Sequence, residues 1–313
     1  MKKDGVEKVK PDPWNLSVHT VVGSKLGKDK KAAYPLHAGG RFFRRIKDFQ
    51  PFKKQGGPMY PSHQDFLSAA HALRIRRPLI HCITNGVSLN DCANLLLACG
   101  ARPVMADAPE ESAQITASAD ALLINTGMLN EGKRRAIVSS AAAAKKRGIP
   151  VLLDPVGAGA SPFRMELIQK LLESKSIDLL KGNYGELKVL TRMDSPKDAV
   201  LWAAKHFGCI CAATGEIDFL SNGKEVFQIT GGSPLLSMVT ATGCMTGALT
   251  AAFLAVFPDD PLFAAECGLY AMKQIGEQAA VMTGYPEYTR PGSFHAAIFD
   301  AAAELTGSKG GLL

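Results

Sequence analysis

Val151-Leu152-Leu153-Asp154-Pro155-Val156-Gly157-Ala158-Gly159-Ala160 is a short apolar run closed by a carboxylate and followed by a turn rich in Gly and Pro. A stretch this brief and this apolar reads as a strand covered on both faces, which is the habit of parallel sheets. Working outward, amphipathic stretches over Glu131–Arg147 and Ser161–Leu172 flank it as predicted helices. The same alternation recurs on both sides, with strands predicted at Leu79–Ile83, Pro103–Met105, Ala121–Asn125, Asp178–Lys181 and Cys209–Thr214. Strand–helix alternation implies an α/β fold with a mainly parallel central sheet between two layers of helices. A hairpin follows, turning at Asn222-Gly223, and three helices near 243–256, 260–283 and 292–305 close the chain. No internal repeat is present.

Composition bounds the reading. The chain has 313 residues, of which 46% are hydrophobic, enough for one large core. Its longest apolar stretch, Ala248 to Phe257, falls well short of the ~18 residues needed to cross a membrane. No apolar segment follows the first lysines, so a secretory signal is not expected. Seven cysteines, at 82, 92, 99, 209, 211, 244 and 267, form no CxxC pair. That pattern argues for free thiols in a reducing compartment, with the cytoplasm as the default. The formal charge of +7 is unevenly spread: residues 1–60 carry 14 Lys and Arg against 5 Asp and Glu, and the remainder is slightly acidic. Residues 1–60 therefore read as a basic, poorly structured or loosely docked extension, and 61–313 as the folded domain. A nucleic-acid-binding reading would rest on that extension alone.

Ligands of such sheets bind beyond the carboxyl ends of the strands, so the turns there carry the chemistry. In Val239-Thr240-Ala241-Thr242-Gly243-Cys244-Met245-Thr246-Gly247-Ala248, small residues lead directly into an apolar helix. They let an anion approach the first free N–H groups, which suits a phosphoryl group in transfer. Cys244 falls in the first turn, where the positive helix end favours thiolate and a base role. A glycine-rich helix start with an inert cysteine is the competing reading. Asp154 stands where a magnesium-organising acid would sit, or caps its turn. In Leu179-Leu180-Lys181-Gly182-Asn183-Tyr184-Gly185-Glu186, Lys181 is placed to reach an ATP phosphate and Glu186 to share the metal. A capping box of Asn183 and Glu186 explains the same residues without function. Thr214 and Gly215, at another strand end, suit nucleotide phosphates or a plain tight turn. His81 reads as a satisfied strand histidine, and its neighbour Cys82 points to the opposite face. The glycines match neither the dinucleotide fingerprint nor the P-loop.

Taken together, these pieces resemble hydroxyethylthiazole kinases, the thiamine-salvage branch of the ribokinase-like superfamily. The resemblance spans about 64–306. It includes Pro78-Leu79-Ile80-His81-Cys82-Ile83-Thr84-Asn85, Gly100-Ala101-Arg102-Pro103-Val104-Met105, the Asp154 and Lys181 turns, Thr214-Gly215-Glu216-Ile217-Asp218, Gly232-Ser233-Pro234 and Thr242-Gly243-Cys244. It implies a three-layer α/β/α fold and phosphorylation of the primary alcohol of 4-methyl-5-(2-hydroxyethyl)thiazole by ATP and Mg²⁺. By the same resemblance, Met105, Ala241 and Asn85 would contact the thiazole, and Lys181 and Thr214 would contact ATP. Asp154 and Glu186 would organise the metal, while Cys244, with Gly243 and Thr242, would form the catalytic turn. A homotrimer with active sites between subunits is implied as well.

Two departures stand out. The family usually has Gly where this chain has Ala241, a costly change only if the backbone there has φ > 0. The stretch between Leu190 and Ser195 is shorter than in the family and is expected to be a surface loop. The alternative activities on this scaffold are a kinase of a related heterocyclic alcohol and an ATP-dependent hydrate dehydratase.

Overall fold

A computed structural model describes residues 61–307. The basic segment 1–60 expected as a separate extension lies outside the described residues. Eight strands form one sheet in the order β2-β1-β3-β4-β5-β6-β7-β8. They are β1 (Leu79–Ile83), β2 (Arg102–Val104), β3 (Ala121–Asn125), β4 (Val151–Asp154), β5 (Leu179–Asn183), β6 (Ile210–Thr214), β7 (Asp218–Ser221) and β8 (Val226–Ile229). β1 to β6 are parallel, and the β7–β8 hairpin adds two antiparallel edge strands at the predicted Asn222-Gly223 turn.

Three predicted strands move, β6 only in starting at Ile210 instead of Cys209. β2 starts and ends one residue early, because Arg102 N–H bonds the Pro78 carbonyl and Val104 pairs with His81. β5 runs on to Asn183, since its pairing with β6 continues through Asn183 opposite Thr214. Asp178 drops out of the strand; its carboxylate instead accepts the Val151 N–H at 2.8 Å.

Strand side chains alternate between two cores, as the period of two requires. Ile80, Cys82, Leu123, Leu152 and Leu179 face one layer of helices. That layer comprises α1 (His63–Arg76), α2 (Leu89–Ala98), α8 (Thr242–Val256), α9 (Pro261–Met282) and α10 (Pro291–Thr306). Ile83, Leu122, Ile124, Leu153 and Leu180 face α4 (Glu131–Arg147), α5 (Pro162–Glu173), α6 (Tyr184–Thr191) and α7 (Pro196–Phe207). α3 (Ser112–Ser118) packs on α4. With both faces covered, the inner strands are mostly apolar, and β3 and β4 are buried end to end. Residues 192–195, expected to form a surface loop, connect α6 to α7.

The chain leaves β1 for β2 on one side and returns to β3 on the other. The crevice between β1 and β3 is thus the topological switch point, where open α/β sheets bind ligands. α8 lies directly beneath it, packed on β1, β3, β4 and β5. Its approach is close at Gly247, where an added Cβ would stand 3.3 Å from the Asp154 carboxylate and 3.5 Å from Leu123.

Candidate active site

Strand register assembles the site. β3 and β4 pair Asn125 with Asp154. β4 and β5 pair Leu153 with Leu180, so Asp154 and Lys181 come next along the same register. The Lys181 ammonium donates to the Gly243 carbonyl at 2.8 Å and to Asp154 Oδ2 at 3.3 Å, with both side chains nearly inaccessible. Burial raises the Asp154 carboxyl to about 6, held back by the Lys181 charge. Burial works against the charge of Lys181 less than Asp154 and the neighbouring acids favour it.

α8 points its amino end at this pair. The first amide bonded within its opening turn is that of Met245, to the Ala241 carbonyl, and no side chain caps the helix. The amides of 242–244 thus form an electropositive rim with no capping group of their own. Thr242 fixes the turn, its hydroxyl donating to the Leu236 and Val239 carbonyls at 2.9 and 3.3 Å.

Cys244 is held by two amides. Asn85 Oδ1 accepts the N–H groups of Val87 and Ser88, and Asn125 Oδ1 accepts that of Gly127. Backbone donors therefore fix both amide orientations, and both NH₂ groups point at Cys244 Sγ, at 3.4 and 3.3 Å. The expected lowering of the thiol by the helix end does not prevail. Burial, and then the Asp154 charge, push it up against the hydrogen bonds and Lys181. The structure holds its sulfur in position under two amide donors.

Ala241 precedes α8 with φ 71°, in the left-handed region. The methyl group therefore falls in the costly case. An L-residue there costs on the order of 1 kcal/mol against glycine.

Glu186 satisfies the capping box and more. Its Oε2 accepts the Asn183 N–H at 2.8 Å and its Oε1 the Gly157 N–H at 3.0 Å. One carboxylate so joins the turns after β4 and β5, and its charge is felt at Asp154. The two readings of this residue are compatible. Thr214 ends β6, its hydroxyl donating to the Gly182 carbonyl at 3.3 Å. Met105 follows β2, half-buried against the same core that Cys244 borders. The loop carrying Met105 is pinned by His81, which is the satisfied histidine expected. Its Nε2–H donates to the Ala106 carbonyl and its Nδ1 meets the Thr116 hydroxyl, each at 2.8 Å. Burial lowers its pKa and keeps the ring neutral.

The bonded group thus contains Asp154, Lys181, Gly243, Cys244 and Asn85. Glu186 joins it electrostatically, Ala241 precedes it in the chain, and Thr214 bonds Gly182, next to Lys181; Met105 stands apart, after β2. Sequence reasoning passed over Asn125, although a polar residue ending an apolar strand before Thr126-Gly127 was a readable signal. It also passed over Lys133, whose ammonium donates to the Thr84 carbonyl at 2.7 Å, and Lys273, which grips the turn after β6. Both lie inside helical patterns, where a lysine reads as a solvated face.

Comparison with known proteins finds relatives over most of the described residues. Residues 70–308 match the family model described as the hydroxyethylthiazole kinase family. The chain is 42% identical to hydroxyethylthiazole kinase 1 of Clostridium botulinum over 241 residues, 73% of this chain and 89% of that protein. It is 42% identical to the hydroxyethylthiazole kinase of Pyrococcus horikoshii over 248 residues, 75% of this chain and 91% of that one. The solved structure of a Pyrococcus horikoshii hydroxyethylthiazole kinase superposes with a TM-score of 0.70 at 41% identity, covering 77% of this chain and 93% of that chain. A NAD(P)H-hydrate dehydratase from Bacillus subtilis shares the fold alone, at 12% identity, a TM-score of 0.55, and coverage of 79% of this chain and 98% of that one.

Proposed function

The chain belongs to the hydroxyethylthiazole kinase family, and from that premise we propose that it transfers the γ-phosphoryl group of ATP to the primary alcohol of 4-methyl-5-(2-hydroxyethyl)thiazole. The product is the thiazole phosphate used in thiamine salvage. The observation that carries this reading is the uncapped amino end of α8 set over the buried Lys181–Asp154 pair at the switch point. That arrangement is an anion hole with a fixed positive charge beside it.

The residues present suit a divalent metal of the magnesium kind. Among the described residues no cluster of three or more His, Cys, Asp or Glu forms a self-sufficient metal site. Asp154 and Glu186 supply hard oxygen donors, and magnesium commonly takes only one or two carboxylates beside substrate phosphates and water. When bound, the ion neutralises phosphate charge and orients the group being transferred.

The chain's own residues do the rest. Lys181, bonded to Asp154 and Gly243, sets a fixed positive charge under the amino end of α8, where it favours a phosphate above it. Helix-terminal amides of 242–244 stabilise the equatorial oxygens as the phosphoryl group passes in line from ADP to the alcohol oxygen. The O–P bond to the alcohol forms as the bond to ADP breaks, without a covalent enzyme intermediate. The alcohol loses its proton late, because a loose transition state asks little of a base. Asn85 and Asn125 hold the Cys244 sulfur beside that oxygen, where only its thiolate form can accept the proton, and Met105 supplies an apolar wall for the thiazole. Thr214 bounds the nucleotide side.

The same reading includes a homotrimer with active sites between subunits, and a cytoplasmic location. Val87, Leu89 and Met128, exposed by 60%, 41% and 59%, support a partner at the rim of the switch point. All seven cysteines are free, in keeping with a reducing compartment. Among the described residues no helix is long and apolar enough to cross a membrane. The test of function is ADP release from ATP with and without the thiazole alcohol. Thiazole-dependent release is expected; release that ignores the alcohol would contradict the assignment.

A further inference from the structure

The machinery above leaves several buried charged groups unused, Lys133 and Lys273 among them. Lys273, on α9, is only 6% exposed, yet all three of its donors are met. Its ammonium donates to the Gly215 carbonyl at 2.7 Å and the Glu216 carbonyl at 2.9 Å, and lies 3.2 Å from Asp218 Oδ1. Asp218 Oδ1 also accepts the Gly215 N–H at 2.9 Å. Every partner belongs to the turn between β6 and β7, which begins at Thr214.

One helical turn on, Glu277 holds a second loop. Its Oε1 accepts the Gly232 N–H at 2.7 Å, and its Oε2 accepts from Gln274 at 3.0 Å. Gly231 and Gly232 have φ of 98° and 93°, a pair of left-handed conformations that only glycine adopts without strain. A Cβ on Gly231 would stand 2.6 Å from Glu277 Oε1, and one on Gly232 would stand 2.8 Å from Lys273 Cδ. The bend is therefore shaped to lie against these two side chains.

We infer that Lys273 and Glu277 are positioning residues for ATP: from one face of α9 they set the spacing between the Thr214–Gly215 turn and the Gly231–Gly232 bend, which form two walls of the nucleotide groove. Burying an ammonium and half-burying a carboxylate is an expensive way to pack a helix on a sheet, where apolar residues serve as well or better. What the charges add is direction. Each bond goes to a backbone group of a loop, so two loops without regular structure acquire fixed positions. Gly215 and Glu216 remain exposed at the turn's outer edge, where a nucleotide can reach them. The inference rests on the reading of this chain as an ATP-dependent kinase.

The test uses the full chain with MgATP and no thiazole, in calorimetric titrations of the wild type, Lys273→Met and Glu277→Gln, each checked for cooperative thermal unfolding. The Kd for ATP is expected to rise about ten-fold in Lys273→Met, as misplaced binding groups imply. It is expected to rise about three-fold in Glu277→Gln, where one acceptor remains. In turnover assays the KM for ATP should rise while the KM for the thiazole stays put, a split that general loosening of the fold would not give. Should Lys273→Met not fold, Glu277→Gln and Gly232→Ala decide the matter by the same split. Folded variants with wild-type ATP affinity, or KM values that rise together for both substrates, would overturn the inference while leaving the kinase reading intact. A wild-type chain that binds no ATP would overturn both.

Discussion

At the scale of single residues, two positions carry the sharpest consequences. Ala241 sits at φ 71°, where a methyl group is strained. Glycine there removes a penalty of about 1–2 kcal/mol but restores about 0.4–1 kcal/mol of unfolded-state entropy. Ala241→Gly is therefore expected to raise the melting temperature slightly and to increase turnover, both read from thermal unfolding and initial rates. Lower stability with lower turnover would mean that the methyl group packs to advantage. Cys244 sits under two amide donors and beside Lys181, a setting that accepts a carboxylate. Cys244→Asp should retain or raise kcat, and an inactive, folded variant would count against proton acceptance at this position. The same residue marks what the sequence left obscure. Its place in the first helical turn was readable, and so was the helix dipole. Whether the dipole or burial governs the thiol depends on Asp154, some ninety residues earlier in the chain, and on how deeply α8 is sunk against the sheet. Asn125 illustrates the opposite case: its position at a strand end was visible, but its donor to sulfur exists only because Gly127 fixes the amide's orientation.

Among elements, α8 matters most, because one helix supplies both the core under four strands and the rim of amides over them. Its closeness to the sheet depends on Gly247, opposite Asp154 and Leu123. Gly247→Leu is expected to cost about 1–3 kcal/mol through overpacking and to abolish turnover, measured by denaturant unfolding and activity. Full activity in that variant would show that α8 does not set the geometry of the pair beneath it. The turns after β4 and β5 are joined by Glu186, through Gly157 and Asn183. Glu186→Gln keeps most of the shape but faces one backbone donor with an NH₂ group, so stability should fall by about 1 kcal/mol. The magnesium concentration giving half-maximal rate should rise, and an unchanged magnesium titration would remove Glu186 from the metal's surroundings. Element order and type were legible because short apolar runs alternated with helical stretches throughout 79–214. Strand ends were less so: Asn183 belongs to β5 only because β6 extends beside it, a pairing that no local pattern announces.

For the molecule as a whole, the sheet order turns a list of strand ends into a site. Residues from five separate turns converge because β1 and β3 part around the switch point and α8 enters below it. The parts were readable along the chain, and the family resemblance supplied their roles. Their junctions were not. The buried lysines at 133 and 273 tie distant loops by bonds to backbone carbonyls, and backbone carbonyls leave no trace in a sequence. Assembly is a prediction at this scale too: sedimentation should give a mass of three chains, and a monomer with full activity would remove the partner from the site.

The kinase assignment is tested most directly by ³¹P NMR of ATP, magnesium and 4-methyl-5-(2-hydroxyethyl)thiazole incubated with the wild-type chain and with Lys181→Met. The wild type should yield a phosphate monoester of the thiazole only when magnesium is present, and Lys181→Met, folded, should yield far less. A folded wild-type protein that binds ATP but forms no monoester would contradict the account.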